Sequence, residues 1–358
     1  MSQRIRIQAE ELERYATAVL RAADVAEGHA KLVARSLVEA NLRGVDSHGV
    51  QLLGFYMEQI EAGDVDRHAV GRVVSESGGC LHYDGENGLG QVVSSICCGH
   101  GVRLAREYGI SLVVAQESNH FGAAAFWAQH YARHGLIGIA LCNASPMVPP
   151  WQGREPRLGT NPICMAVPGG EVRPWLLDMA TTTVAAGKIY KAMLNHQETI
   201  PHGWAMDREG VSTTETAVAL KGLLAPLGGY KGSGLAMMVE ILVAGLGGGA
   251  IGTELGGLRI RGKRMRASQT FIGIDIARFM PVEAFTERMD KLIRMMKETP
   301  PAKGYDEVLV AGEPEWRAEE IRRRDGIPIE AGNWETLKAA AWRHGVPEPE
   351  YELEGALE

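Results

Sequence analysis

The chain of 358 residues is long enough for two or three domains with real cores. Hydrophobic residues make up 45% and glycine occupies 44 positions, a soluble globular composition rich in turns. The net charge of −7 repels a phosphate backbone, so no nucleic-acid partner is expected.

The N-terminal text MSQRIRIQAEELER is charged and has no apolar h-region, so no signal peptide is expected. The most apolar run, GLAMMVEILVAGLGGGAIG, is interrupted by Glu240 and crowded with glycine. It reads as a buried helix and its exit loop, and no membrane span is expected. Five cysteines (80, 97, 98, 142, 164) form an odd count without CxxC spacing. They read as reduced, buried thiols of a cytoplasmic protein, with no metal site.

In chain order, residues 8–42 predict two helices. Asp24 with Glu27 resembles a capping box for the second, where Ala30, Val33 and Leu37 recur at helical spacing. Residues 54–62 predict another helix. From about residue 70 the text changes. Strands are predicted at 110–119, 135–145, 162–168, 174–181 and 270–278, with helices at 91–108, 124–134 and 231–246. The segment 191–230 reads as loop. The tail from about 300 is charged helical text expected to pack back on the N-terminal helices. Alternation of strands and helices predicts an α/β fold.

GGGAIG (247–252) satisfies GxGxxG literally, but it follows a helix where the dinucleotide fingerprint needs a strand. A tightly packed or flexible turn is the better reading. In PLGGYKGSGLAMMVE, glycines flank Tyr230 and Lys231 just before a helix, an arrangement suited to phosphate or carboxylate, or else simply a glycine-rich helix start. Two histidines follow element ends and precede glycine or Phe-Gly: His48 in LRGVDSHGV and His120 in SNHFGAAAF. Loop ends on a scaffold carry reactive groups, and histidine exchanges protons near neutral pH. Ser47 beside His48 can relay or orient that proton. A serine hydrolase is disfavoured, because adjacent residues rarely aim Oγ at the neighbouring imidazole and VDSHG is not a GxSxG elbow.

Taken together, eight segments in order resemble the malate/L-lactate dehydrogenase family of the non-Rossmann type. They are LRGVDSHGV, DGENGLGQ, SNHFGAAAFWA, LGTNPICMAVP, LLDMATTTVAAGKI, IPHGWAMDREG, PLGGYKGSGLAMMVEIL and GEPEWRAEEIRRRDGIPI, spanning about Ile7 to Ile327. That family includes ureidoglycolate, sulfolactate and diketogulonate enzymes and reductases of cyclic imino acids. The resemblance implies a non-Rossmann NAD(P)-binding α/β domain with a mixed sheet at 76–299. It also implies a helical domain joining 1–75 with 300–358, and a homodimer or larger homo-oligomer. The implied cofactor is NAD or NADP and the implied partner a small-molecule substrate. His48 matches the family's acid/base residue and Ser47 its relay. His120 is a second catalytic candidate and, with Phe121, Gly122, Ala123 and Ala124, a cofactor contact. Asp178, Met179, Ala180, Tyr230, Lys231, Gly312 and Glu313 match further cofactor contacts, with Ala311 standing where proline is usual. Thr160 matches a substrate contact.

Two departures bear on the substrate. Most members carry arginine four residues after the histidine, where it pairs with the substrate carboxylate; here that position is Leu52. Either another cation substitutes (Arg43, Arg154 and Arg157 are candidates) or the substrate is not an ordinary 2-oxo acid. Lys188 stands where the imino-acid reductases have an acidic relay residue, which favours a carbonyl over a cyclic imine. The leading expectation is an oxidoreductase acting on a 2-oxo or 2-hydroxy acid. The alternatives are a reductase of a non-standard carbonyl or imine, and a binding protein on a retired enzyme fold.

Overall fold

The structure, a computed structural model, describes residues 4–194 and 196–354. The chain begins with a short strand, β1 (Arg4–Ile7), followed by the expected helix pair, α1 (Ala9–Ala22) and α2 (Glu27–Leu42). Helix α1 buries Leu12, Ala16, Val19 and Leu20, one stripe at helical spacing. Asp24 does not cap α2. It turns the chain with a φ of 63°, and Ala26 occupies the N-cap without a side-chain bond. Burial of Val25 and Ala30 holds that helix start instead. Two successive 3-10 turns, Asp46–His48 and Val50–Leu52, then lead into α3 (Leu53–Glu61).

Next come β2 (Arg72–Ser77), β3 (Cys80–Asp84), α4 (Gly90–Tyr108), β4 (Ile110–Ser118), α5 (Ala124–Ala132) and β5 (Leu136–Cys142). After them lie β6 (Ile163–Ala166), β7 (Leu176–Met179) and α6 (Ala186–Leu194). The segment expected as loop holds β8 (Ala205–Met206), β9 (Ser212–Thr213), α7 (Thr216–Ala219) and β10 (Leu223–Leu224). Strands of two residues are too short for any hydrophobic period, yet they close a small sheet over Val148, Ile200 and Leu224. The described chain ends with α8 (Tyr230–Glu240), β11 (Ala267–Asp275), α9 (Val282–Lys297), α10 (Glu313–Asp325), β12 (Ile327–Glu330), α11 (Ala331–Trp342) and β13 (Glu352–Glu354).

The central sheet has the order β2-β3-β4-β11-β5-β6-β7. Only β3 and β4 pair in parallel; every other neighbouring pair is antiparallel. A doubly wound dinucleotide fold has a mostly parallel sheet, so this sheet is of another design. Strand β2 escaped the sequence reading because it is an edge strand exposed along its length, with no apolar alternation. Helices α4 and α5 cover one face through Cys97, Leu104, Trp127 and Tyr131, against Phe271 of β11. Val239 and Val243, from α8 and its π-helical continuation Ile241–Gly245, cover Leu141 on the other. The GGGAIG run is the exit of that helix. A Cβ on Gly249 would lie 2.2 Å from Ser268 Oγ, so glycine there permits close packing on β11.

Both ends of the described chain share one core. Strand β1 lies between β12 and β13, with Ile5 opposite Ile329 and Ile7 opposite Ile327. Leu12, Leu37, Leu53 and Met57 pack with Trp334 and Leu337 beneath them. Four cysteines are buried and free as expected; Cys80, at the start of β3, is exposed. No helix among the described residues is long and apolar enough to cross a membrane.

Candidate active site

The Asp46–Leu52 turns are fixed from two sides. Buried Asn41, near the end of α2, donates from Nδ2 to Asp46 Oδ1 at 2.7 Å and accepts from the Val50 N–H at 2.8 Å. Arg322 of α10 donates to both Asp46 oxygens, Nη1 to Oδ1 at 2.6 Å and Nη2 to Oδ2 at 3.0 Å. Its Nη1 also reaches the Asn41 carbonyl at 2.5 Å. Gly49 is required here, because a Cβ would fall 2.2 Å from Asn41 Oδ1. Asp46 is thus the anchor that presents its two neighbours.

Those neighbours form a contact. Ser47 Oγ lies 3.0 Å from His48 Nδ1, and His48 Nε2 has no hydrogen-bond partner among the described residues. The steric objection to adjacent residues meeting this way does not hold in a 3-10 turn. His120 comes from the end of β4, and its ring stacks on that of His48 with centroids 5.7 Å apart. Gln91 Nε2 donates to the Tyr56 hydroxyl at 3.0 Å, and Tyr56 in turn lies 2.7 Å from His120 Nδ1. The Gly122 N–H also donates to that nitrogen, at 3.2 Å. An acceptor at Nδ1 places the His120 proton on Nε2, a tautomer assigned from this network.

Burial holds both rings neutral. It pushes His120 down to about 3, with smaller contributions from His48 and Arg259, and it lowers His48 as well. For His48 the burial favours the neutral form, whose free ring nitrogen can accept a proton.

The segments matched to cofactor contacts converge. The Asp178 carboxylate at the end of β7 accepts the Ala125 N–H at the start of α5 at 2.8 Å, and burial pushes it up to about 6. Gly312, with a φ of 90°, packs on Leu176 of β7. The Leu227 N–H donates to the Thr181 carbonyl at 3.0 Å, which brings the start of α8, with Tyr230 and Lys231, beside the same strand. Thr160 joins through its carbonyl, which accepts the Thr181 N–H at 2.9 Å. Phe121 packs its ring against Trp127 and Phe271, leaving its backbone for any ligand contact.

The two substrate-binding candidates nearest the turn do not join the histidine pair. Leu52 is 4% exposed and belongs to the N-terminal core. Arg43 is 6% exposed, stacks on Trp316 at 4.2 Å, and none of its guanidinium nitrogens has a hydrogen-bond partner. It lines a cleft of about 420 Å³ with Arg35, Arg133 and Arg323 and the acidic Glu39 and Glu319; burial disfavours its charge, and Glu319, Glu315 and Asp178 act on it in that order. A buried cation without partners beside Asp178 fits an anionic dinucleotide there. Arg154 and Arg157 are paired on the surface with Glu209 and Glu155.

Several residues of the site carry no signal in the sequence. Tyr56, Gln91 and Arg322 acquire roles only from contacts 35 to 276 positions away. Glu240, the interruption in the apolar run, is a buried hub. It accepts from Asn161 Nδ2 at 2.9 Å, the Gly252 N–H at 2.8 Å and Asn143 Nδ2 at 3.3 Å, and so fixes the residue after Thr160. A charged residue inside such a run was the available clue.

The chain belongs to the malate/L-lactate dehydrogenase family, whose model matches residues 7–338. It is 38% identical over 350 residues to malate dehydrogenase of Pyrococcus horikoshii, covering 96% of each chain, and superimposes on that protein's structure with a TM-score of 0.88. L-sulfolactate dehydrogenase of Methanocaldococcus jannaschii is 36% identical over 89% of this chain and 92% of its own; a structure from that organism gives a TM-score of 0.89. The Δ1-piperideine-2-carboxylate reductase of Pseudomonas syringae aligns with a TM-score of 0.83 at 27% identity, over 94% of this chain and 99% of its own.

Proposed function

We propose that this chain is an NAD(P)-dependent oxidoreductase that interconverts a 2-hydroxy acid and its 2-oxo acid, with His48 as the proton acceptor and donor. The chemistry a bound nicotinamide cofactor supplies is hydride transfer at C2 of the acid. His120 to Ala124, Asp178 to Ala180, Tyr230 with Lys231, and Gly312 with Glu313 would hold that cofactor. In oxidation, neutral His48 takes the hydroxyl proton at Nε2, while Ser47 Oγ steadies Nδ1. In reduction the same nitrogen returns a proton to the new alkoxide. His120, held by Tyr56 and Gly122, keeps its Nε2–H available for the substrate oxygen.

The observation that carries this reading is the stacked histidine pair, with one ring steadied by Ser47 and the other by Tyr56. The relatives support the substrate class, since malate, sulfolactate and piperideine-2-carboxylate all carry a carboxylate beside the reacting carbon. The test is NAD(P)H oxidation against a panel of 2-oxo acids, 2-oxo amides and cyclic imines. Turnover on an acid, abolished in His48→Ala with cofactor binding intact, supports the proposal; silence across the panel rejects it. Turnover confined to amides or imines selects the second reading, which Leu52 favours. Against an imine, Lys188 lies over the Trp204 ring at 5.9 Å and supplies no acid to Ser47.

The helical unit (1–75 with 300–358) and the cofactor unit (76–299) are part of this reading, as is a cytoplasmic homodimer or larger assembly. Exposed Met237 and Ile241, on α8 and its continuation, support self-association.

A further inference from the structure

We propose that Arg259 receives the substrate carboxylate, replacing the arginine that position 52 lacks. The inference rests on the 2-oxo acid reading and names the residue that gives it a cation.

Arg259 sits in the 255–264 loop, with its guanidinium over two rings, 5.1 Å from the Phe55 centroid and 5.2 Å from that of Tyr190. Each ring belongs to an element that walls the histidine pair. Phe55 precedes Tyr56 on α3, which bonds to His120. Tyr190 lies on α6, whose Gly187 packs so closely that a Cβ would come 3.3 Å from Ser47 Cβ. The charge of Arg259 is felt at His120.

The loop is anchored at that spot. Gln59 of α3, only 2% exposed, donates from Nε2 to the carbonyls on either side of Arg259, Leu258 O at 3.1 Å and Ile260 O at 2.8 Å. Arg261 pairs with Glu58 at 2.5 Å, and the Gly262 N–H donates to Asp64 Oδ2 at 2.7 Å. Three side chains from α3 and its exit thus hold a segment without regular structure. Its neighbour Arg261 is spent on an ion pair. Arg259 keeps its guanidinium free of hydrogen bonds and ion pairs among the described residues, while its backbone is already ordered. A pre-ordered cation loses less entropy on meeting a carboxylate, and its fork matches the two oxygens. Leu52 meanwhile fills the core, so the work of the missing arginine passes to a residue of the loop held against α3.

The test uses oxamate and its neutral counterpart oxamide as probes, titrated calorimetrically into the full chain saturated with reduced cofactor, beside turnover of a 2-oxo acid and its amide. Arg259→Met should weaken oxamate roughly 10- to 100-fold, the range for losing a charge-assisted bond. Oxamide should be nearly unchanged, and KM for the acid should rise more than kcat falls. Arg259→Lys should restore part of the loss, and the thermal midpoint should stay within a few degrees. Equal losses for both probes, unchanged oxamate affinity, or a wild type that binds no oxamate would overturn the proposal. If oxamate binding depends on Arg259 but no 2-oxo acid is turned over, the proposed reaction fails while this inference stands. If acids are turned over equally well without Arg259, the reverse holds.

Discussion

Arg322 and Asp46 form a two-pronged ion pair that fixes the turn carrying Ser47 and His48 to helix α10. Asp46 is partly exposed, so solvent screening limits its worth to about 1 kcal/mol of stability. Its effect on geometry is larger. Arg322→Met should lower kcat about tenfold or more, because a shift of order 1 Å at a reacting group is costly. Steady-state kinetics with a parallel urea titration checks this. A loss in kcat no larger than the stability change explains would reject the positioning role.

Tyr56→Phe removes the hydroxyl between Gln91 and His120 and leaves the buried Gln91 amide without that acceptor. The expected cost is about 1–3 kcal/mol in denaturant unfolding. His120 loses one of two donors to Nδ1, so nitrogen NMR should show a mixture of tautomers where wild type shows the Nε2–H form.

Stability should fall on mild acidification. His120 is depressed in the folded state to about 3 from an ordinary value of 6.5, so its contribution is complete above pH 6.5 and is lost as pH falls toward 3. By pH 5 the loss from this group is roughly 2 kcal/mol. A His120→Gln variant should show a shallower decline between pH 6.5 and 5 in urea unfolding; an identical slope would contradict the assignment.

The two directions of the reaction should respond differently to pH. Burial lowers His48, so the neutral base persists below pH 6.5. Oxidation of the hydroxy acid should therefore stay level as pH drops from 8 to 6.5. Reduction needs the protonated ring and should accelerate over that interval. Initial rates in both directions across this range provide the check.

Arg43→Met replaces a buried guanidinium lacking hydrogen bonds with an apolar chain of similar length. Without cofactor the variant should be as stable as wild type or more so, because an uncompensated buried charge is removed. Its thermal midpoint should gain less than wild type's when NADH or NADPH is added. Equal gains would place the cofactor's anionic groups elsewhere.

The long, strongly patterned elements were readable in advance. Helices α1, α2, α4 and α5 and strands β4, β5 and β11 advertise burial through apolar spacing. Exposed β2 and the two-residue strands have no such signature, and long-range pairing alone makes them strands. The same division runs through the site. Ser47, His48 and His120 stand beside glycines in segments that carry the family resemblance. Tyr56, Gln91, Arg322 and Arg259 reach the site through folding across more than thirty residues, and no local pattern announces them. Leu52 was conspicuous as a departure, but only tertiary structure shows that its side chain fills the core and that a different arginine, Arg259, lies over the Phe55 and Tyr190 rings.

The span of 276 residues between Asp46 and Arg322 also sets a schedule. On the ribosome, the segment bearing Ser47 and His48 waits roughly 14 to 55 s for its anchor at ordinary elongation rates. A nascent chain that has emerged only as far as β11 already holds every strand of the central sheet and both His48 and His120, yet its turn lacks the Arg322 tether. On the proposed reading, the anchor of the His48 turn is absent until α10 is translated, and loss of the chain from α10 onward removes that anchor without touching either histidine.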